Sequence, residues 1–478
     1  MERVRRLNLK ENITLMSEIN LKTNIDRFSA DLLDEARLFC DFCADKEILV
    51  EAFIDDAIKA KIVVEGKEKV FIGNKPNGDD LNVKRLTKRF LKVSLYDYLS
   101  QLSGRTLPWG SLTGVRPTKL AYDYLKLGGS IDDVAKYLVD VFRVSERKAN
   151  TISRIIKAQQ RVIKERNNCV NLYLHVPFCD GRCYYCSFPS ADVNKNKTLL
   201  LPYAEKFAEE VEKVVSIIKA QGKEILSVYV GGGTPSVLTP EMIERILKPI
   251  KNENCEFTFE AGRPDSINEE KLSALKNNGV TRLCVNPQTL NNRTLEIIGR
   301  KHTAESFYRA YELAKSFGFD VNTDVIAGLE GEDLTDFKYT VDGIFELLPE
   351  NVTIHTLSKK RGSVIADKDM RLFCDDIEKM TDYAYDKLVS RYEPYYLYRQ
   401  KNMVGNLENV GFAIEGKQCI NNITVMEETV SVYACGAGSI SKIIQSGKIN
   451  RHASVKDVKL YIDEFDKRLT EKIKFLSE

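Results

Sequence analysis

The sequence predicts an α/β protein whose centre is an incomplete (β/α) barrel of six parallel strands. We expect an N-terminal α+β domain before this barrel and a C-terminal α/β cover after it. After about residue 168, short β-rich runs alternate with longer amphipathic helices, as βαβ units do. The runs are apolar without strict alternation, which is typical of strands buried on both faces of a parallel sheet. At 478 residues the chain also exceeds one ordinary core, so two or three domains are expected.

The domain boundaries follow from where this pattern changes. We assign residues 1–167 to the N-terminal domain, 168–365 to the partial barrel and 366–478 to the C-terminal cover. The sequence does not reveal the role of the N-terminal domain.

The N-terminal domain mixes strand and helix patterns. Residues 61–73 predict a β-hairpin that turns at Gly66, and helices are expected over 83–102 and 131–142. Ser145 is the expected N-cap of a basic amphipathic helix that runs to about residue 166.

The barrel strands should bring their carboxyl ends to one rim, where the working residues of such barrels lie. The predicted strands are Asn171–Val176, Ile225–Val230, Glu256–Glu260, Arg282–Val285, Asp320–Ile326 and Asn351–Leu357.

Composition excludes several classes of partner. The formal net charge is only +2, which argues against bulk nucleic acid or an anionic membrane as a dominant electrostatic partner. No signal-peptide segment follows the N-terminus and no apolar run approaches the roughly 20 residues of a membrane span, so we expect a cytoplasmic protein without a membrane span. In that compartment the clustered members of its eleven cysteines are expected to be metal ligands or catalytic groups.

The first barrel strand runs directly into a loop with three cysteines. Cys179, Cys183 and Cys186 have the spacing C-x3-C-x2-C, and three such thiolates can close around one face of an iron–sulfur cluster. A fourth iron would then keep an open position, as catalytic metal sites do. The alternatives are a structural zinc site or three unrelated thiols, but zinc normally takes four ligands and only His175 stands nearby.

The other strand ends carry groups suited to a polar ligand. Gly231–Pro235 ends the second strand, and its glycines permit close backbone approach, although a plain strand-to-helix turn also explains them. Glu260, Gln288 and Asp324 lie at or just after later strands, where isolated polar groups are costly unless paired. His355 lies in the sixth strand and could face the same site.

These motifs resemble those of the radical S-adenosylmethionine (SAM) superfamily. Tyr173–Cys179, the cysteine spacing and Gly231–Pro235 are most similar to the oxygen-independent coproporphyrinogen III oxidases and their relatives. Trp109–Leu120 resembles the N-terminal extension of one branch, the coproporphyrinogen dehydrogenases of some anaerobic and facultative bacteria.

The resemblance implies a 4Fe–4S cluster with Cys179, Cys183 and Cys186 on three irons and S-adenosylmethionine on the fourth. It places Tyr173 and Tyr185 beside the cluster and the cosubstrate. The remaining implied cosubstrate contacts are Gly232, Gly233 and Thr234 for the methionyl amine, Glu260 and Arg300 for its polar ends, and Gln288 and Asp324 for the ribose hydroxyls.

The resemblance also implies a reaction. A 5′-deoxyadenosyl radical would drive oxidative decarboxylation of coproporphyrinogen III to protoporphyrinogen IX in haem biosynthesis, with a reductant such as flavodoxin or ferredoxin. A porphyrinogen carries four propionates, so we expect cations to hold it, and Arg263, Arg361 and Arg399 are the candidates because a guanidinium binds a carboxylate in two places.

Two departures from the family keep alternatives open. Well-known bacterial coproporphyrinogen oxidases carry a further cysteine two residues after the third, where this chain has Phe188. The related haem chaperones carry an H-N-x-x-Y-W motif after the barrel, whereas residues 400–407 contain no His or Trp. A haem-binding chaperone, an anaerobic haem-degrading methyltransferase and a radical enzyme with an unrelated substrate therefore remain alternatives.

Overall fold

The computed structural model describes residues 19–477 except 115, 164–167, 189, 359, 361, 368–373, 401–402 and 446. Over these residues, no helix combines the length and the apolar character needed to cross a membrane.

Helices and strands alternate through most of the chain. The strands are β1 (Asn20–Thr23), β2 (Glu47–Ile54), β3 (Ala57–Val64), β4 (Lys67–Asn74), β5 (Cys169–Val176), β6 (Phe178–Cys179), β7 (Ala191–Asp192), β8 (Glu224–Gly232), β9 (Glu256–Glu260), β10 (Arg282–Cys284), β11 (Asp320–Ala327), β12 (Asn351–Thr356), β13 (Glu393–Tyr398), β14 (Asn409–Ala413), β15 (Ser431–Cys435), β16 (Ile440–Gln445) and β17 (Lys448–Ala453). The helices are α1 (Ser29–Ala36), α2 (Cys40–Cys43), α3 (Asp80–Ser103), α4 (Pro117–Lys126), α5 (Val134–Phe142), α6 (Glu146–Val162), α7 (Lys197–Ala220), α8 (Pro240–Leu247), α9 (Glu269–Asn277), α10 (Asn292–Ile297), α11 (Ala304–Ser316), α12 (Leu334–Leu347), α13 (Cys374–Leu388), α14 (Ile420–Glu427), α15 (Val458–Asp463) and α16 (Phe465–Ser477).

These elements form two compact units. The smaller unit consists of the described residues of 19–114 together with 132–150, and the larger consists of those of 116–131 and 151–477. The chain passes between these units near residues 115, 131 and 150, whereas the sequence analysis placed its boundaries after residues 167 and 365.

The smaller unit is built on a four-stranded sheet in the order β1-β2-β3-β4. The predicted hairpin is present as β3 and β4, and Gly66 has the positive φ of +75° that its turn requires. The helix predicted over 83–102 is α3, which begins earlier because the Asp79 side chain accepts a hydrogen bond from the Asn82 amide at 2.8 Å. Ser145 caps α6 as predicted, since its hydroxyl accepts from the Lys148 amide at 3.4 Å.

Contacts of α6 explain why the larger unit starts before residue 168. Ala158 of this helix is buried against Tyr395 and Tyr396 of β13. Gln159 donates to the Tyr395 carbonyl at 3.0 Å. Arg116, at the start of α4, donates to the Met426 carbonyl at 2.6 Å. The part of α6 from Thr151 onward therefore packs on the sheet of the larger unit and belongs to that unit.

The larger unit contains an eleven-stranded sheet in the order β13-β14-β12-β11-β10-β9-β8-β5-β15-β16-β17. The six strands predicted for the partial barrel are β5, β8, β9, β10, β11 and β12, and they are parallel and adjacent in chain order. Because parallel strands share a direction, their carboxyl ends form one rim. The α/β architecture and the six-strand parallel core predicted from the sequence are confirmed.

The C-terminal residues extend this sheet at both edges. Beyond β12 lie the antiparallel strands β14 and β13, and beyond β5 lies β15, which is also parallel, followed by the antiparallel pair β16 and β17. In the described residues the two outermost strands, β13 and β17, do not pair with each other, so the sheet does not close. The expected cover therefore contributes strands to the same sheet that carries the rim.

Candidate active site

The three-cysteine loop begins at the end of β5 and β6. Cys183 is buried, while Cys179 and Cys186 are partly exposed. The Cys186 amide donates to the Cys183 carbonyl at 3.0 Å, and the Cys179 sulfur lies 3.1 Å from the Thr234 hydroxyl. Burial raises the pKa of Cys186, and the neighbouring thiols of Cys183 and Cys179 raise it further. The loop therefore gathers all three predicted ligands on one side of the rim.

Across the described residues, no group of three or more His, Cys, Asp and Glu residues is arranged to hold a single metal ion. An iron–sulfur cluster takes one thiolate on each of several irons, so its ligands surround the cluster instead of converging on one ion. Three cysteine thiolates on one short loop are the type of donor that such a cluster takes.

Tyr184 anchors the middle of the loop. Its amide donates to the Ile298 carbonyl at 3.2 Å, its carbonyl accepts from the Ile365 amide at 3.1 Å, and its hydroxyl accepts from the Glu330 amide at 3.1 Å. Its ring belongs to an apolar cluster with Leu295, Ile298, Ile326, Leu329, Leu357 and Ile365. This packing fixes the loop between two of its cysteines.

The Gly231–Pro235 run holds the start of the same loop. The Gly233 amide donates to the Val176 carbonyl at 2.9 Å, and the Thr234 amide donates to the Phe178 carbonyl at 2.7 Å. A Cβ atom on Gly233 would collide with the Phe178 carbonyl, which explains this glycine by close backbone packing. The predicted contacts of Gly232, Gly233 and Thr234 with a methionyl amine stay a prediction.

Glu260, the last residue of β9, and Asp324, within β11, form an acidic pair. The Glu260 carboxylate accepts from the Tyr229 hydroxyl at 2.8 Å, and Asp324 accepts from the Asn286 side chain at 2.9 Å. Burial raises the pKa of Glu260 to about 7, and the nearby Asp324 charge adds to this increase. Two carboxylates that disfavour each other's charge are suited to receive a cationic ligand.

His355 connects this pair to β13, as its position in the sixth predicted strand suggested. Its Nε2 lies 3.5 Å from the Asp324 carboxylate, and its Nδ1 lies 3.1 Å from the Tyr398 hydroxyl.

Gln288 and Arg300 carry unused hydrogen-bonding atoms at the same rim. Gln288 has a positive φ of +67°, and its Oε1 is buried without a partner among the described residues. Strained backbone that presents an unsatisfied polar atom is typical of ligand sites. Arg300 donates to the Asn286 carbonyl at 2.7 Å and to the Tyr185 hydroxyl at 3.3 Å, which joins this part of the rim to the cysteine loop.

Tyr173 lines the floor between these groups. Its ring stacks on Tyr229 with centroids 6.2 Å apart and lies 6.0 Å from the His175 ring. Burial raises the pKa of Tyr173, and the Glu260 charge raises it further, so this phenol stays neutral beside the acidic pair.

The structure describes two of the three predicted substrate cations. Arg263 is only 3 % exposed and donates to the Asp180 carbonyl at 2.8 Å, within the cysteine loop. Arg399 is buried and donates to the Asn406 carbonyl at 2.7 Å. Arg361 lies outside the described residues.

Three site residues were not expected from the sequence. Tyr229 lies inside β8, Asn286 follows β10 by two residues, and Lys301 follows Arg300. The sequence could have predicted Asn286 as a rim residue, because it lies two positions before Gln288 after the same strand. Nothing in the sequence distinguishes Tyr229 from an ordinary core residue or Lys301 from an ordinary surface lysine.

Comparisons with known proteins show the family and the fold to which this chain belongs. The sequence model described as the Radical SAM superfamily matches residues 173–344, which include the cysteine loop and the acidic pair. The solved structure of coproporphyrinogen III oxidase (HemN) from Escherichia coli aligns with a TM-score of 0.52 at 20 % identity, over 65 % of this chain and 72 % of that one. This structural likeness shows a shared fold.

Curated relatives define the family more narrowly. The oxygen-independent coproporphyrinogen-III oxidase-like protein HemZ of Bacillus subtilis is 34 % identical over 84 % of this chain and 83 % of its own length. The haem chaperone HemW of the same species is 30 % identical over 61 % of this chain and 74 % of its own. The chain belongs to the radical SAM superfamily and, within it, to the oxygen-independent coproporphyrinogen-III oxidase-like proteins. Its cofactors are a 4Fe–4S cluster and S-adenosylmethionine.

Proposed function

We propose that this protein converts coproporphyrinogen III to protoporphyrinogen IX without oxygen, by oxidative decarboxylation of two propionates. The observation that carries the proposal is the joining of the cysteine loop to a polar rim through Arg300, which contacts Tyr185 of the loop and the Asn286 carbonyl. The similarity to HemZ over most of both chains supports the choice of substrate.

The cysteines would hold the cluster, and the rim would hold the cosubstrate. Cys179, Cys183 and Cys186 are assigned to three irons. When bound, the cluster and S-adenosylmethionine supply a 5′-deoxyadenosyl radical for hydrogen abstraction from a propionate β-carbon.

The rim residues orient the cosubstrate by charge and hydrogen bonding. Glu260 is suited to a cationic amine because its carboxylate is buried beside a second carboxylate. Gln288 and Asp324 are suited to the ribose hydroxyls, and Gln288 brings a buried Oε1 that lacks a partner in the described part of the chain. Arg300 is assigned to the methionyl carboxylate.

Apolar packing around Tyr184 would exclude water from the proposed cluster and cosubstrate site. Its apolar neighbours cover the loop on the side of β11 and β12, where a radical must be protected from solvent. Tyr173 and Tyr185 are assigned to the walls beside the cluster and the cosubstrate.

The substrate and the electron donor are proposals that follow from the reaction. Four propionates require several cations, and Arg361 and Arg399 remain candidates for them. A small electron carrier such as flavodoxin or ferredoxin would reduce the cluster.

The experiment is an anaerobic incubation of reconstituted protein with coproporphyrinogen III, S-adenosylmethionine and dithionite. We expect carbon dioxide, a product with two vinyl groups, and methionine with 5′-deoxyadenosine from the cosubstrate. Cosubstrate cleavage without carbon dioxide would contradict the proposal, and a methylated product would favour the methyltransferase alternative.

A haem chaperone is the second candidate because of the 30 % identity to HemW. It predicts stoichiometric haem binding and no porphyrinogen turnover. The same preparation titrated with haem separates the two functions, since the enzyme should turn over porphyrinogen and the chaperone should only retain haem.

A further inference from the structure

Asp180, the residue after the first loop cysteine, is held by three different segments. Lys301 lies 3.0 and 3.1 Å from its two carboxylate oxygens, and Asn194 donates to one of them at 2.6 Å. Arg263 reaches the backbone of the same residue and donates to its carbonyl at 2.8 Å. Two of these segments hold the Asp180 side chain and the third holds its backbone.

Arg263 is built into the protein and is not presented to solvent. It follows β9, and its own carbonyl accepts from the Ser266 hydroxyl at 2.7 Å. Its Nε lies 3.4 Å from the Asp265 carboxylate, so its charge is partly compensated. At 3 % exposure, Arg263 directs two of its three guanidinium nitrogens at Asp180 and Asp265, and its Nη2 has no partner among the described residues.

We propose that Arg263 and Lys301 are positioning residues that fix Asp180, and through it Cys179, in the orientation that the cluster requires. The inference rests on the proposed cluster site and assigns Arg263 a different role from the substrate clamp expected from the sequence.

The two contacts differ in strength. Arg263 makes a buried, charge-assisted hydrogen bond, which solvent does not screen. The Lys301 side chain is 62 % exposed and that of Asp180 is 33 % exposed, so their ion pair is weak and sensitive to salt. Arg263 should therefore contribute most of the positioning.

The test compares iron loss from anaerobically reconstituted full-length variants. Arg263→Met should still take up iron but lose it to a chelator at least about tenfold faster than the parent, the effect of one lost hydrogen bond to a charged group. Its reduced cluster should give a broadened electron paramagnetic resonance (EPR) signal, because the loop then samples several arrangements. Arg263→Lys, which keeps the charge and one donor, should restore part of both properties.

Two further variants complete the comparison. Lys301→Met should raise the rate of iron loss by only about twofold, and only at low ionic strength. Arg245→Met is the matched control, because Arg245 forms an ion pair with Glu205 in which both side chains are about half exposed. It should leave the iron-loss rate and the EPR signal unchanged.

The outcomes separate this inference from the proposed function. A parent protein that binds no cluster would contradict the proposed function itself. A parent with a full cluster and an Arg263→Met variant with the parental iron-loss rate and EPR signal would overturn the positioning role. The positioning role would also be overturned if that variant lost only porphyrinogen binding. Should Arg263→Met fail to fold, Arg263→Gln decides, since a parental iron-loss rate and EPR signal in that variant, which lacks the charge, would contradict the inference.

Discussion

The two ends of the parallel strands use buried charge in opposite ways. At the amino ends, Arg282 lies 3.7 Å from Glu256 and 3.9 Å from Asp320, and Lys417 lies 2.8 Å from Asp320, so each charge meets an opposite one. At the carboxyl ends, Glu260 faces another carboxylate and Gln288 keeps an unpaired Oε1 within the described residues. The paired amino ends stabilise the sheet, whereas the carboxyl ends keep a carboxylate pair and an unpaired Oε1 that the proposed cosubstrate would satisfy.

The largest expected effect is a loss of stability from a change at the paired amino ends of the strands. Arg282→Met should lower the free energy of unfolding by about 3–5 kcal/mol, because it leaves the buried Glu256 carboxylate without its cation. Urea denaturation of the cluster-free chain measures this effect.

A matched change at the other end is Asp324→Asn. Asp324 is one quarter exposed and faces a second carboxylate, so removing its charge should cost little stability while it weakens S-adenosylmethionine binding. Equal losses of stability in Arg282→Met and Asp324→Asn would contradict the distinction between the two ends.

Arg300→Ala should weaken S-adenosylmethionine binding by about 1.5–3 kcal/mol, roughly tenfold to a hundredfold, since it removes a hydrogen bond to a charged partner. The absorption spectrum of the cluster should not change. Isothermal titration under anaerobic conditions measures the affinity, and unaltered cosubstrate affinity with lost porphyrinogen binding would reverse the assignment.

The pH dependence of cosubstrate binding tests Glu260. Its pKa of about 7 means that the carboxylate is protonated at lower pH, and a protonated carboxyl no longer attracts a cationic amine. The affinity should therefore rise with pH up to about 7, by as much as tenfold per pH unit, or about 1.4 kcal/mol.

Glu260→Gln is the control for this titration. It should bind S-adenosylmethionine weakly and lose the contribution of Glu260 to the pH profile. An identical pH profile in the parent and in Glu260→Gln would assign the titration to another group.

The smallest effect on stability should come from an ion pair that lies at neither end of the parallel strands. Arg245→Met breaks an ion pair with Glu205 that is about half exposed on both sides, so it should change the free energy of unfolding by less than about 1 kcal/mol. This variant sets the baseline for the Arg282 measurement.

Much of the rim could be predicted because periodicity and strand ends are local properties of a sequence. The six parallel strands appear as expected, and Glu260, Gln288, Asp324 and His355 come together because each lies near the end of a strand in one parallel sheet.

Other features depend on contacts that local patterns do not encode. The pairing of β15 with β5 joins residues about 260 positions apart, and a five-residue run gives no hint of its neighbour. The left-handed backbone of Gln288 is set by its hydrogen bonds to Asp324 and Ile326, since this residue type does not favour that conformation. Arg263 follows a strand in the sequence, and only the packing of the loop shows its hydrogen bond to the Asp180 carbonyl.

The most direct test of the central claim is the iron content of Cys183→Ala after anaerobic reconstitution, measured beside Cys255→Ala. The parent and Cys255→Ala should each hold about four irons per chain and form 5′-deoxyadenosine from S-adenosylmethionine. Cys183→Ala should lose the cluster and all 5′-deoxyadenosine formation. Full iron content in Cys183→Ala, with cosubstrate cleavage retained, would contradict the assignment of the cluster to the three-cysteine loop.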